Sequence, residues 1–356
     1  MKVGIITMIS DNYGNRLQNY ALQEALTEIG HDVETLNNPW EEDYNPYRER
    51  LISNLKKITY YITKRPKRYI RKIRFEKFNN RYIEFSKFWL NNKKDKKKAA
   101  QFYDIFVCGS DQVWNSEAKE ITGKYFADFA APSKRASYAA SFGIDRIIPE
   151  RKEEFAQYLS GMKYISVREQ NGIDIIHDIF NKKVYCHVDP TFLLSADKWD
   201  KLLSSIGRPN KNYIFCYFLG KPSNEIYNKI KKYGTEKNLK ICLICNELES
   251  PFNTAGPENF ISFIKNAEFV LTDSFHGTVF SIIYEKPFYV FMRSGASKGM
   301  LSRIHSVLNL FNLQYRFEPT ELNEQNIYNI DFSMCRKILN QERKKAFDYL
   351  RNITNN

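Results

Sequence analysis

Lys2-Val3-Gly4-Ile5-Ile6-Thr7, then Asp11-Asn12-Tyr13-Gly14-Asn15, then Leu17, Ala21, Leu22, Ala25, Leu26 and Ile29, form the stretch that decides the fold. The first six residues read as a strand. The Asp/Asn/Gly cluster reads as a loop. The apolar residues after it recur at helical spacing along one side of residues 16–29. Gly30 is a helix stop, and Asp32 to Leu36 reads as a second short strand. Strand, helix and strand in this order open an α/β domain.

Outward from this unit the pattern continues. Asp104 to Gly109 reads as a buried strand, and further strands are expected at 135–141, 163–168 and 183–188. Asp189-Pro190-Thr191 reads as a domain crossing. Beyond it, strands at Tyr213–Leu219, Lys240–Cys245, Phe269–Thr272 and Phe288–Met292 alternate with helical segments, and a long charged helix covers about 334–352. A chain of 356 residues favours two domains over one. The expected architecture is therefore α/β: two Rossmann-like domains, 1–190 and 191–330, facing a cleft. Residues 331–356 form a terminal helix expected to pack back on the first domain. In such sheets ligands sit beyond the carboxyl ends of the strands.

The charge is uneven. The chain carries +13, and Leu51 to Lys98 alone holds 17 Lys/Arg against three acids. Leu51, Leu55, Ile58 and Ile62, then Phe75, Phe78, Tyr82, Phe85 and Trp89, follow helical spacing on either side of Pro66. Asn91 to Lys98 reads as a lysine-rich linker. The expectation is a basic helical insertion in the first domain, over about 45–98. No signal peptide and no run of 18 apolar residues is read, so the expected place is the cytoplasm. The six cysteines suit it, as buried, reduced thiols. Cys242 and Cys245 form a lone C-x-x-C inside a strand pattern, where positions three apart face opposite sides, so no metal site is expected.

Four strand ends can carry chemistry. Asn15, Arg16 and Gln18 follow the first strand at a helix start that suits an anion or a sugar. Gly109-Ser110-Asp111-Gln112-Val113-Trp114-Asn115 offers a carboxylate, amides and an aromatic face, a set suited to sugar recognition; a turn with Trp114 in the core is the competing reading. Ser166-Val167-Arg168-Glu169 would aim a guanidinium into the cleft, where it matches carboxylate or phosphate with paired hydrogen bonds, or else forms a surface ion pair with Glu169. In Leu271-Thr272-Asp273-Ser274-Phe275-His276-Gly277-Thr278 a strand runs into a helix. The unpaired amides of its first turn favour a phosphate, and His276 can hold that phosphate or deliver a proton. Downstream, Lys298 and Arg303 could add positive charge.

Tyr13-Gly14-Asn15-Arg16-Leu17-Gln18, Gly109-Ser110-Asp111-Gln112-Val113-Trp114-Asn115, Ala139-Ala140-Ser141-Phe142-Gly143, Ser166-Val167-Arg168-Glu169, Asp189-Pro190-Thr191 and Asp273-Ser274-Phe275-His276-Gly277 occur in that order. Together they resemble the polysaccharide pyruvyl transferase family, from residue 1 to about 312. The resemblance implies a glycosyltransferase-B-like fold, phosphoenolpyruvate as donor substrate, a sugar diol as acceptor, and neither cofactor nor metal. It implies Arg168 and His276 as donor-binding residues, with Lys298 or its competitor Arg303 beside them. The basic insertion is not among the shared motifs.

The expected chemistry is transfer of a pyruvyl group as a ketal in cell-surface polysaccharide biosynthesis, capsule or exopolysaccharide. His276 is the expected acid and Asp111 the expected base. The donor is held by Arg168, Ser274, His276, Gly277, Lys298 and Arg303. The acceptor is met by Asn15, Arg16, Gln18, Ser110, Asp111, Gln112 and Trp114. The basic segment suggests a lipid-linked acceptor and peripheral contact with an anionic membrane at 51–98. Nucleic acid is not expected, because no binding signature accompanies the charge. A nucleotide-sugar glycosyltransferase of the same architecture is the alternative.

Overall fold

In the computed structural model, residues 1–39, 66–180, 182–203, 212–293 and 298–355 are described, with side chains after the 294–297 gap described from Leu301. Lys2–Ile6 forms β1, with Val3, Ile5 and Ile6 fully buried. It is flanked by β2 (Asp32–Asn37) and β4 (Ile105–Cys108). Beyond these lie β3 (Phe85–Trp89) and β5 (Arg135–Ser137), giving a parallel sheet of order β3-β2-β1-β4-β5. Bridges at Ala136–Tyr164 and Ala140–Val167 carry the sheet on to β6 (Ile165–Val167), which pairs with β7 (Val184–Cys186). A second parallel sheet has the order β11-β10-β8-β9, with β8 Tyr213–Phe218, β9 Lys240–Cys245, β10 Phe269–Thr272 and β11 Phe288–Val290. Helices join most of the strands in both halves, as parallel connections favour, while β4 reaches β5 through the short 3-10 segments Gly123–Phe126 and Pro132–Lys134.

Two expectations for the basic segment fail. Phe85–Trp89 is not helical: it is the edge strand β3, paired with β2 at Thr35–Phe85 and Asn37–Trp89. The 3-4 spacing read through residues 75–89 joins two elements, because the Pro66–Tyr82 helix ends first and Ser86 and Phe88 then turn inward at period two. Nor is Asn91–Lys98 a linker. Asn92 caps a Lys93–Phe102 helix, its side chain accepting from the amides of Lys94 and Asp95, and Asp95 sits in the first turn. The segment from Phe85 onward is thus part of the first sheet layer and not an insertion. Residues 51–65, with the Leu51–Ile62 pattern, lie outside the described residues.

The Pro66–Tyr82 helix buries Phe75 and Phe78 and reaches the second half of the chain. Arg74 donates to Thr254 O, Arg71 to the Asn246 side chain, and Lys67 pairs with Glu249. Its charge therefore straps the two halves together. Tyr13, at the start of the Tyr13–Glu28 helix, stacks on Phe260 at 4.7 Å and donates to Ala255 O. The Phe332–Asn355 helix lies on the first sheet, where Ala346, Tyr349, Leu350 and Ile353 are buried beside Val3, Ile5 and Val107. Cys242 and Cys245 are free and buried on opposite faces of the second sheet, but Cys186 is exposed where a buried thiol was expected. Among the described residues no helix is long and apolar enough to cross a membrane.

Candidate active site

Four strand ends and one helix start converge between the sheets. Arg168 follows β6, and its side chain is 2% exposed. Its Nη1 donates to Asp189 Oδ2 at 2.7 Å, and its guanidinium lies over the Phe275 ring at 4.5 Å. Nε and Nη2 have no hydrogen-bond partner. These two nitrogens form one edge of the guanidinium, the edge that holds a carboxylate or phosphate through parallel hydrogen bonds. Glu169 is buried as well. Its Oε1 accepts from Ser141 Oγ and the Phe142 amide, while Oε2 stays 3.8 Å from Arg168 Nε. The Arg168–Glu169 charge pair exists, but it is buried and not on the surface.

Ser274 caps the Phe275–Ile283 helix, its Oγ accepting from the Gly277 amide. The remaining first-turn amides have no partner inside the helix. Beside them His276 Nε2 is buried without a hydrogen bond, 3.7 Å from Asp189 Oδ2. Gly14 makes room for this histidine: a Cβ there would stand 1.9 Å from His276 Nδ1.

Asp189 is the site residue that sequence reading missed. The sequence marks it as the domain crossing and as one of the shared motifs without giving it a role in the site, yet it accepts from Arg168, from Thr191 N and Oγ1, and from Ser110 Oγ at 3.1 Å. Burial works to raise its carboxyl, but His276 and Arg168 outweigh burial and hold it well below the usual carboxylate range. Arg168, Ser110 and His276, three groups distant in the chain that converge on one carboxylate, have no signature in spacing.

Arg303 reaches the same cavity as Arg168. The cavity is about 390 Å³, and Glu169, Phe275 and Glu342 also line it. Arg303 Nε is unpartnered, and burial, with Arg168 beside it, lowers the guanidinium to about 10. Such a shift marks positive charge short of counter-charge, which an anion would relieve. Lys298 opens the Lys298–Leu310 helix, but its side chain lies outside the described residues.

The acceptor-side residues divide. Asp111, at φ 66°, accepts from Asn15 Nδ2 at 3.0 Å. Burial works to raise its carboxyl, yet Arg168, His276 and the Asn15 hydrogen bond hold it below the ordinary range. These partners keep Asp111 in its ionised, hydrogen-bond-accepting form. Gln112 Nε2 is unpartnered, close against Gly143. Arg16 is fully buried and donates to Met8 O and Asn15 Oδ1, with Nη1 left over; burial lowers it to about 10. Gln18 and Ser110 brace the loops instead of facing a ligand: Gln18 Nε2 donates to Thr7 Oγ1 and its Oε1 accepts from the Ser110 amide. Trp114 offers no face to a sugar. It is fully buried, stacked on Phe126 at 5.3 Å, with its indole N–H donated to Tyr125 O.

The family model described as polysaccharide pyruvyl transferase matches residues 12–295, which span every one of these loops but not the start of the Lys298–Leu310 helix. The chain belongs to that family. This pyruvyl transferase family member is similar in fold to the S. aureus MnaA–UDP co-structure, at 12% identity and TM-score 0.50, over 99% of this chain and 97% of that one. A UDP-GlcNAc 2-epimerase of Methanocaldococcus jannaschii, solved with UDP-GlcNAc and UDP, matches at 13% identity and TM-score 0.49 over the whole of both chains. Comparison with curated proteins found no match. The transferase thus has the two-domain, glycosyltransferase-B-like architecture expected from its sequence.

Proposed function

We propose that this transferase moves the pyruvyl group of phosphoenolpyruvate to a sugar diol as a ketal, releasing inorganic phosphate, during synthesis of a capsule or exopolysaccharide. The observation that carries the reading is the Nε–Nη2 edge of buried Arg168, which makes no hydrogen bond, beside a cavity that Arg168 and Arg303 both line. Phosphoenolpyruvate offers one carboxylate and one phosphate. Arg168 takes the carboxylate, and the helix start at Ser274–Gly277, with Arg303 or Lys298, takes the phosphate.

The residues then suit the following steps. His276 delivers a proton to the methylene carbon, and the central carbon becomes oxocarbenium-like. One sugar hydroxyl, oriented by Asp111, Asn15 and Gln112, adds to it. The proton of the first hydroxyl returns to His276; phosphate leaves with the enol oxygen, and the second hydroxyl closes the ketal by giving its proton to the departing phosphate. The reading invokes no cofactor and no metal. Incubation with phosphoenolpyruvate or with nucleotide sugars, each with lipid-linked and free glycan acceptors, tests it. Phosphate release tied to a pyruvylated product is expected; sugar transfer from a nucleotide sugar instead would establish the alternative.

The reading extends to place. Lys93, Lys94, Lys97 and Lys98 are exposed on one short helix next to exposed Lys87 and Phe102. We propose that this face touches the anionic inner surface of the plasma membrane, where a lipid-linked acceptor would be met, at about 1 kcal/mol per lysine. Vesicles containing phosphatidylserine should bind the wild type at low salt. The K94E/K97E/K98E variant should lose that binding while keeping its melting temperature; equal binding by both would refute the contact.

A further inference from the structure

Asp189 has one carboxylate oxygen, Oδ2, shared among groups from both halves of the molecule. Arg168 Nη1 lies 2.7 Å from it, Ser110 Oγ 3.1 Å, and His276 Nε2 3.7 Å. The other oxygen is tied down by Thr191 N at 3.0 Å and Thr191 Oγ1 at 2.7 Å. The side chain is fully buried. Since Oδ1 is held by the crossing segment itself, the carboxylate has one orientation, and Oδ2 points where Arg168 and His276 meet.

This arrangement decides which part of Arg168 remains free. Occupying Nη1 leaves the Nε–Nη2 edge intact, the only edge in which two parallel N–H groups belong to neighbouring nitrogens without using Nη1. The Phe275 ring under the guanidinium fixes its plane. The same oxygen faces His276, which the Phe275–Ile283 helix brings from the second half. We propose that Asp189 is a positioning residue of the donor site: it orients Arg168 toward the donor carboxylate and sets His276 at the same ligand across the domain boundary. The proposal rests on the phosphoenolpyruvate reading above.

Two roles for this carboxylate predict opposite signs. A buried negative charge that was merely adjacent to the site would repel an anionic donor, so removing it would tighten binding. A positioning carboxylate works the other way, because without it the guanidinium loses its aim. Asp189→Asn keeps the shape and an oxygen able to accept from Thr191 N, so it changes chiefly the charge and the hold on Arg168. Phosphoenolpyruvate binding to the full chain, measured by titration calorimetry, should weaken about tenfold or more in Asp189→Asn, the range for a charge-assisted hydrogen bond to a buried group. Thr191→Val, which loosens Asp189 without removing it or touching the donor groups, should shift affinity in the same direction by less, and it serves as the test if Asp189→Asn fails to fold. Asp189→Glu, which restores the charge, should recover part of the loss.

Unchanged or tighter binding in Asp189→Asn overturns the proposal, as does unchanged binding in Thr191→Val where Asp189→Asn cannot be purified. Arg168→Ala separates this failure from failure of the parent reading. If the wild type binds phosphoenolpyruvate and Arg168→Ala loses it, while Asp189→Asn does not, only the positioning role is wrong. If the wild type shows no binding, or Arg168→Ala binds as the wild type does, the donor reading falls and the positioning role with it.

Discussion

At the scale of single residues, the chemistry turns on His276. Its Nε2 is buried, unpaired and within reach of Asp189, while its ring lies flush against Gly14. A residue so placed can donate a proton or hold a phosphate, and kinetics distinguish the two. Loss of a general acid lowers kcat by roughly 10²–10⁴-fold; loss of a ligand that binds donor and transition state alike raises KM with kcat kept. The first outcome is expected for His276→Ala, with an unchanged far-ultraviolet spectrum, and near-normal turnover would remove His276 from the chemistry. Arg168 and His276 were legible because each ends a strand or begins a helix, where local sequence alone sets the exposure of a group to the cleft. Asp189 and the burial of Trp114 were not, since both depend on contacts between segments far apart in the chain. Trp114 satisfies its N–H on Tyr125 O and its ring on Phe126, neither of which the spacing around it encodes.

At the scale of elements, the β-α-β opening was legible from hydrophobic period, and the basic segment was not. Period reports which residues face inward but not where one element gives way to the next. The spacing through Phe75, Phe78, Tyr82 and Phe85 crosses from helix into β3 without a break, and only the inward Ser86 and Phe88 mark the change. Asn92 with Asp95 did signal a helix start, hidden under a run of lysines. The Tyr13–Glu28 helix shows how an element positions a distant group. Its Gly14 is a gap in the helix surface into which His276 of the other half fits. Alanine at this position favours the helix by up to about 1 kcal/mol, yet its Cβ would occupy the place of the imidazole. Gly14→Ala should therefore keep the melting temperature within a few degrees, since the two effects oppose, but displace His276 enough to cost about 10²-fold in kcat/KM. Activity within a factor of three of wild type would show that the ring can yield without consequence.

At the scale of the whole molecule, the site exists only while the halves stay in register, because Arg168 and Asp189 come from one side and His276 and Phe275 from the other. Among the described residues, three of the connections that hold that register stand out. The Pro66–Tyr82 helix straps across to Asn246, Glu249 and Thr254; Tyr13 stacks on Phe260; and the Phe332–Asn355 helix runs from one half to the other. At its start Cys335 packs in the second core and Arg336 pairs with Glu285. Midway Arg343 donates to Phe192 O and Leu194 O in the crossing. At its end Tyr349 donates to Ser137 O and packs on His187 at 4.6 Å. An element anchored at both ends makes the halves unfold as one unit. Tyr349→Ala should cost about 3–5 kcal/mol, the range for deleting a large buried ring, and the loss should be felt on both sides of the cleft. Trp114 lies in a core of the first half and Trp199 in the cluster where the second sheet packs on Tyr13, Tyr20 and Phe75, so single-tryptophan variants report the first core and that shared cluster. In urea both probes should move to the same lower midpoint in Tyr349→Ala, as two-state coupling demands. A lower midpoint at Trp114 with Trp199 unmoved would mean that the halves unfold independently, and that their register is kept by the bound donor and not by this helix.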